Sequence, residues 1–580
     1  MGIIPEFYRT GGLLLLSIAL PVQAVVFWLS GLYRGLWRFA SVPDLIRILK
    51  AVSVGALLTF LIVFVLQRME GIPRSIPLLY PLFLVLGLSG PRIFYRLLKD
   101  RHFDLSVKPA QRVLIAGAGR AGEMLIRDLL KDHQYLAVGF VDDDTSKQGR
   151  EIHGVRVLGK LADTGLLTEQ LDVDVVLIAI PSASHETMQQ LVQICMEAKV
   201  ASRTLPAIAE LADGKVEVSK LRQVSIEDLL GRDPVSLNDA GLHDLLDGKR
   251  ILVTGAGGSI GSELCRQIIH YAPDMLILLD HSEYNLYRIN EEMQTCPNFR
   301  IHGLLGDVRD AERMHWLFKT FKPQVVLHAA AYKHVPIVEE NPAEGIKTNI
   351  FGTRHIADLA SEFQAEKFIM VSTDKAVNPG NIMGASKRAA EIYCQNLNGR
   401  AHTQMITTRF GNVLDSTGSV VPLFRRQIAS GGPVTVTHSE ITRFFMTIQE
   451  ACQLILQAAV IGEGGEIFVL DMGEPVKIKD LAKQMISLSG FEPGLDIKIE
   501  MTGLRPGEKL HEELFYNSEV PSKTKHPKIM LADSREYDWE NLQVLLGELQ
   551  LACRDRDVNI LHRALKKIVP EFTDTIIHQD

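Results

Sequence analysis

The chain has 580 residues, 46% of them hydrophobic and 23% charged, which is an ordinary globular composition with room for three or more structural units. A net charge of −7 offers no basic face to nucleic acid. Six scattered cysteines with no C-x-x-C pair exclude a disulfide framework and a zinc site, suit a reducing compartment and leave no metal to expect.

The first 100 residues read as a transmembrane region of about three helices. Gly11 to Tyr33, Ala51 to Gln67 and Ser75 to Pro91 carry no charge. A spanning helix needs roughly 17–25 apolar residues, so the first stretch is comfortable and the others are at the lower bound. No basic region precedes the first stretch, which argues against a cleaved signal peptide. Arg34, Arg38, Arg47 and Lys50 follow the first stretch, and Arg92, Arg96, Lys99 and Arg101 follow the third. The positive-inside rule then puts the N-terminus outside and everything after the third stretch in the cytoplasm.

Residues 108–240 read as a first Rossmann-like domain of nucleotide-binding type. Arg112-Val-Leu-Ile-Ala116 is a buried parallel strand, and Gly117-Ala-Gly-Arg-Ala-Gly122 opens an amphipathic helix through Leu130. Leu136 to Val141 is a second strand, ending at Asp142-Asp-Asp144, and Val173 to Ile180 a later one. No catalytic pair follows the glycines, so a bound nucleotide and a purely structural or regulatory fold stay equally open. The unit ends near Asp233 and Pro234.

Residues 245–580 read as a second doubly wound domain, with a smaller substrate lobe from about residue 420. The strand Arg250-Ile-Leu-Val-Thr254 runs into Gly255-Ala-Gly-Gly-Ser-Ile-Gly261, a T-G-x-x-G-x-x-G loop in which Gly255, Gly258, Ser259, Ile260 and Gly261 would cradle a dinucleotide pyrophosphate. Asp280 ends the next strand, where an acid can bond both ribose hydroxyls of NAD and repel a 2′-phosphate; His281 and Arg288 leave NADP open. Gly306-Asp307-Val308 and His328-Ala329-Ala-Ala331 are two further strand ends beside the same site.

The chemistry sits in Met370-Val-Ser-Thr-Asp-Lys375 and Met383-Gly-Ala-Ser-Lys387. Short-chain dehydrogenases pair a Ser/Thr-bearing strand end with a Y-x-x-x-K helix; here Met383 stands where the Tyr would be and cannot move a proton. Thr373 can hold a substrate hydroxyl, and Lys387 can lower nearby pKa values by its charge. Asp374 and Lys375, an acid and a base side by side, point past plain alcohol oxidation to oxidation, elimination and reduction in one site.

The chain resembles the large membrane-bound nucleotide-sugar 4,6-dehydratases of bacterial polysaccharide and glycan synthesis, which act on UDP-N-acetylglucosamine. The resemblance rests on Tyr33-Arg-Gly-Leu-Trp-Arg38, Ala331-Tyr-Lys-His-Val-Pro336, Ser372 to Pro379, Met383 to Arg388, Arg409-Phe-Gly-Asn-Val413 and Leu504-Arg-Pro-Gly-Glu-Lys509. It implies an NAD that is tightly bound and regenerated in each cycle, and four N-terminal spans where three are read here, hence a shortened start. It implies that hydride leaves sugar C4, that Lys375 as the neutral amine takes the C5 proton, that protonated Asp374 releases the C6 hydroxyl as water, and that hydride returns to C6. Retention at C5 is the large-member expectation. Arg443 and Arg505 are then the candidates for the UDP diphosphate, with Lys333, His334, Asn412 and Glu508 around the substrate. The expected partners are a UDP-sugar, the lipid bilayer of a bacterial inner membrane, further copies of the chain as a homo-oligomer, and other glycan-synthesis enzymes. A C4-epimerase or reductase of the same superfamily, and a non-catalytic membrane sensor or scaffold, stay open.

Overall fold

The computed structural model describes residues 6–32, 42–100, 110–131, 134–181, 183–205, 221–230, 235, 237–295, 300–516, 521–532 and 537–573. The Tyr33–Arg38 motif, Asp233 and Pro234 lie outside them. Two compact units, Met1–Pro109 and Ala110–Asp580, divide the chain.

The first unit holds three helices, Glu6–Leu29, Val42–Gln67 and Ile76–Asp100. Two segments, Tyr8–Leu29 and Ile46–Gln67, are long and apolar enough to cross a bilayer; the third apolar stretch, Ile76–Pro91, falls short of that length. Their apolar side chains point outward: Leu57, Val65 and Leu78 are 71%, 74% and 77% exposed. A small interior of Val26, Phe27, Ile48 and Val52 holds the helices together.

The second unit contains two parallel-type sheets. In the first, β1 (Gln111–Ala116), β2 (Tyr135–Val141), β3 (Glu151–Ile152), β4 (Val155–Gly159), β5 (Val175–Ile178), β6 (Ala201–Thr204) and β7 (Arg222–Gln223) lie in the order β3-β4-β2-β1-β5-β6-β7. In the second, β8 (Arg250–Thr254), β9 (Met275–Asp280), β10 (Arg300–Leu305), β11 (Val325–His328), β12 (Lys367–Val371) and β13 (Gln404–Arg409) form a parallel run in the order β10-β9-β8-β11-β12-β13. These strands are near-continuous apolar runs, and β8, β11, β12 and β13 are buried almost throughout, as a sheet covered by helices on both faces requires. Strand order reverses at β1 and again at β8, and each glycine loop leaves its sheet at that reversal, where an open sheet binds ligands.

After residue 410 the chain makes a lobe from short pairs. Strand β14 (Asn412–Val413) pairs with β17 (Phe445–Met446), β15 (Val434–Val436) with β20 (Ile499–Met501), and β16 (Thr442–Arg443) with β19 (Val476–Lys477). Strands β18 (Ile467–Leu470), β21 (Ser522–Lys523) and β22 (Ile529–Ala532) instead extend the large sheet, and the helices Trp539–Asp555 and Val558–Ile568 return to its core through Leu542, Leu546, Leu561 and Leu565. One hydrophobic cluster joins the first sheet to the lobe, with Val224, Ile226 and Leu229 on one side and Phe424, Leu481 and Ile486 on the other.

Candidate active site

The loop after β8 is shaped by what it excludes. Gly255 has φ +66, and a Cβ there would lie 2.8 Å from the Ala330 backbone nitrogen; one at Gly261 would lie 2.1 Å from the Gly255 carbonyl. Close packing of strand on helix therefore leaves the N-terminus of the helix Ser259–Ile268 open to a phosphate. Ser259 Oγ accepts from the Thr417 amide at 3.2 Å, tying this loop to the lobe, and Ile260 packs against the core beneath it.

The residues expected around a dinucleotide are present, with different engagements. The Asp280 carboxylate is buried and accepts from Gly257 N at 2.9 Å and Ser282 N at 2.8 Å, so it pins the glycine loop. Asp142 does the same in the first sheet, accepting from Ala118 N at 2.7 Å and Asp144 N at 2.9 Å. Asp307 is gripped by Arg309; burial works against its charge, but the guanidinium wins and holds the carboxyl below its ordinary value. Val308 is packed under Gly352, and Ala329 donates to the Thr254 carbonyl at 3.2 Å. His328 bridges Thr254 Oγ1 (2.8 Å) and Thr353 Oγ1 (2.9 Å); burial, then the Lys387 charge, push its imidazole down to about 3. It is a neutral clamp between the strand end at Thr254 and the start of the helix Thr353–Glu362.

The acid–base pair lies where β12 ends and a single 3-10 turn, Asp374–Ala376, begins. The Thr373 hydroxyl donates to Asp374 Oδ1 at 2.8 Å, and Lys375 Nζ donates to the same oxygen at 2.9 Å and to Asn412 Oδ1 at 3.2 Å. Asp374 is fully buried, and its Oδ2 has no hydrogen-bond partner among the described residues. The helix Ile382–Asn398 starts against this turn: Asn381 caps it by accepting from Gly384 N at 2.8 Å, and a Cβ on Gly384 would lie 2.1 Å from the Lys375 carbonyl. Met383 is buried in the core, consistent with a side chain that packs and moves no proton.

Lys375 is not the lowered amine of the site. Burial disfavours its charge, but Asp374 and then Glu512, at 3.5 Å, outweigh it, so the group is held above its ordinary value as an ammonium. The lowered amine is Lys387, which burial pushes down to about 8 and which makes no hydrogen bond or ion pair among the described residues.

Toward the lobe, Arg443 is buried; Nη1 donates to the Thr442 carbonyl at 2.7 Å, Nη2 lies 3.5 Å from Glu508 and Nε 3.7 Å from Glu512. Arg505 is exposed on the same loop as Glu508, which accepts from the Arg505 amide at 3.1 Å. Lys333 is held below its ordinary value by burial, as is His334, with Lys333 adding to the effect; the His334 ring packs under Gly418. The geometry thus brings Thr373, Asp374, Lys375, Asn412, Arg443 and Glu508 into one connected cluster, while Arg505 stands at its exposed rim.

Two features escaped the sequence reading. Glu512 follows the Leu504–Lys509 motif, yet nothing local marks it as the second carboxylate on Lys375. Behind the site, Glu391 accepts from Ser372 Oγ (2.6 Å), Arg409 (2.6 and 2.8 Å) and Arg388 (3.1 Å) in a buried network. Its spacing was a usable signal, since Glu391 lies four residues after Lys387 on one helix face.

Residues 251–534 match the family model described as "Polysaccharide biosynthesis protein", and residues 29–206 match one described as "CoA-binding domain". The chain is 43% identical over 549 residues to the capsular polysaccharide biosynthesis protein CapD of Staphylococcus aureus, covering 93% of this chain and 91% of that protein. It is 41% identical over 543 residues to the probable polysaccharide biosynthesis protein EpsC of Bacillus subtilis, covering 92% and 90%. A UDP-N-acetylglucosamine 4,6-dehydratase (inverting) of Campylobacter jejuni is 34% identical over 322 residues, 54% of this chain and 88% of that one.

Proposed function

We propose, for a chain that belongs to the polysaccharide biosynthesis proteins of the extended short-chain dehydrogenase superfamily, that its reaction is the NAD-dependent 4,6-dehydration of UDP-N-acetylglucosamine to the UDP 4-keto-6-deoxy sugar. The observation that carries this reading is the shared contact of Thr373 Oγ1 and Lys375 Nζ on one oxygen of a fully buried Asp374, at a strand end beside the glycine loop. A plain dehydrogenase has no use for this pair, whereas elimination needs both an acid and a base.

The glycine loop fits a dinucleotide, because side chains at Gly255 or Gly261 would fill the cradle, and the Lys387 amine, whose charge reaches His328, has no hydrogen bond or ion pair among the described residues. When bound, NAD supplies hydride transfer, out of sugar C4 and back to C6. Thr373 holds the C4 hydroxyl and Asp374 accepts its proton. The C4 ketone acidifies C5, and Lys375 removes the C5 proton. Asp374 passes its proton to the departing C6 hydroxyl, which leaves as water. Lys375 then returns a proton to C5. Arg443 and Arg505 grip the diphosphate, with guanidinium geometry suited to paired oxygens. Each positioned proton transfer contributes roughly 10²–10⁴-fold.

The apolar helices anchor this chemistry as a multi-pass unit of the bacterial inner membrane, with the catalytic part in the cytoplasm beside the enzymes that consume the product. Incubating the full chain in detergent with UDP-N-acetylglucosamine in D₂O tests the reaction. Mass spectrometry and NMR should find one water lost and deuterium at C5. An epimer with neither change would overturn the reading.

A further inference from the structure

Elimination requires Lys375 as an amine, yet two carboxylates hold it as an ammonium. Something must take that proton within the buried site, and the groups around it narrow the choice. Asp374 is committed to the C4 and C6 hydroxyl protons under the reading above, on which this inference rests. Asn412 accepts a hydrogen bond from Lys375 but cannot take a proton. Glu512 remains: its Oε1 lies 3.5 Å from Lys375 Nζ and 3.7 Å from Arg443 Nε, while its Oε2 is buried without a hydrogen-bond partner among the described residues. An orphaned buried carboxylate oxygen costs free energy in proportion to its desolvation.

We propose that Glu512 is the proton acceptor that converts Lys375 from ammonium to the amine base, and that binding of the substrate diphosphate to Arg443 triggers the transfer. The Nζ–H bond of Lys375 breaks as an O–H bond forms on Glu512, leaving the lone pair on Nζ. That lone pair takes the C5 proton, and the C5–H electrons pass into the C4 carbonyl and then expel the C6 hydroxyl, which leaves with the proton of Asp374. Once Lys375 has returned a proton to C5, Glu512 returns its own to Lys375, and the cycle closes without net proton change.

Arg443 supplies the trigger because it is the second cation on Glu512. A diphosphate that claims this guanidinium leaves Glu512 facing Lys375 alone, with a greater affinity for its proton. The other charged groups nearby are already engaged. Asp374 lies behind Lys375 and Glu508 behind Arg443. His511 bonds Thr442, and Glu513 pairs with Lys509 and Asn378. The ammonium is thereby kept until substrate arrives, which protects the ketone-forming site from idle base chemistry.

The test compares wild type, Glu512→Gln and Glu513→Gln. Calorimetry with UDP reports binding, single-turnover absorbance reports reduced nicotinamide, and NMR in D₂O reports C5 exchange. Glu512→Gln should bind UDP within about threefold of wild type and lose about 10²–10³-fold in turnover near neutral pH. It should also accumulate reduced nicotinamide, because oxidation precedes the blocked step. Its activity should climb with alkaline pH as Lys375 loses its proton to solvent, while wild type stays flat. A carboxylate serving only as counterion gives the opposite sign: removing it frees Lys375 to deprotonate, so Glu512→Gln turns over at least as fast as wild type near neutral pH and accumulates no reduced nicotinamide. That outcome, or a Glu512→Gln indistinguishable from Glu513→Gln, overturns the proposal. Wild type that shows no dehydration at all refutes the underlying reaction instead.

Discussion

Gly384→Ala separates helix propensity from site geometry. Glycine inside a helix costs up to about 1 kcal/mol relative to alanine, so propensity alone says the substitution stabilises. Here the new methyl would lie 2.1 Å from the Lys375 carbonyl oxygen, a backbone atom that no rotamer change can move aside. The helix start and the Thr373–Lys375 turn must part by roughly 1 Å to restore contact, and overpacking of this kind costs about 1–3 kcal/mol. The larger effect is on chemistry, because a misplacement near 1 Å can lower rate about 10²-fold. The Asn381 cap to Gly384 N resists the shift from the other side. We expect kcat to fall about 100-fold with UDP affinity nearly unchanged, and thermal unfolding to move down by a few degrees. Gly547→Ala is the control: it lies in the helix Trp539–Asp555 with nothing within 4 Å of the added methyl, and should raise stability by up to about 1 kcal/mol with activity intact. A Gly384→Ala enzyme as active as wild type and as stabilised as Gly547→Ala would refute the tight contact between helix and catalytic turn.

Asp374→Asn should retain UDP binding while turnover drops roughly 10²–10⁴-fold, as read by product formation. Glu391→Leu leaves the buried Arg409 and Arg388 without their shared carboxylate and should cost about 3–5 kcal/mol in urea unfolding. For Lys387, the folded amine sits at about 8 and the unfolded one at 10.5, so the unfolded chain binds more protons between those values and stability rises with pH there. Lys387→Met should remove that rise, gaining on wild type below pH 8 and losing the gain as pH approaches 10.5, which paired melting curves would detect. Leu57→Arg sets a charge on an exposed face of an apolar helix, costs about 3 kcal/mol for insertion and should move protein out of the membrane fraction.

What was legible in the sequence was local. The glycine loops announce themselves because phosphate cradles need small residues at fixed spacing after a buried strand, and both loops open at strand-order reversals. The Thr373-Asp-Lys375 run and Lys387 were legible for the same reason, one strand end and one helix turn. What escaped depends on side chains that meet across long sequence gaps. Glu512 reaches Lys375 from 137 positions away, and it adds to the larger pull of Asp374 that holds this amine above its ordinary value. Asp280 was read for a ribose, but its engagement with Gly257 N emerges only when the loop folds back over β9. The third apolar stretch was read at the lower bound of spanning length, and in the structure Ile76–Pro91 is a shorter apolar helix than the other two.

UDP-N-acetylglucosamine carrying deuterium at sugar C4 gives the most direct measurement of one site that oxidises, eliminates and reduces in turn. NMR of the product should find that label moved to the C6 methyl group, with water lost and no external reductant consumed. A product that keeps the deuterium at C4, or loses it to solvent, would contradict the account.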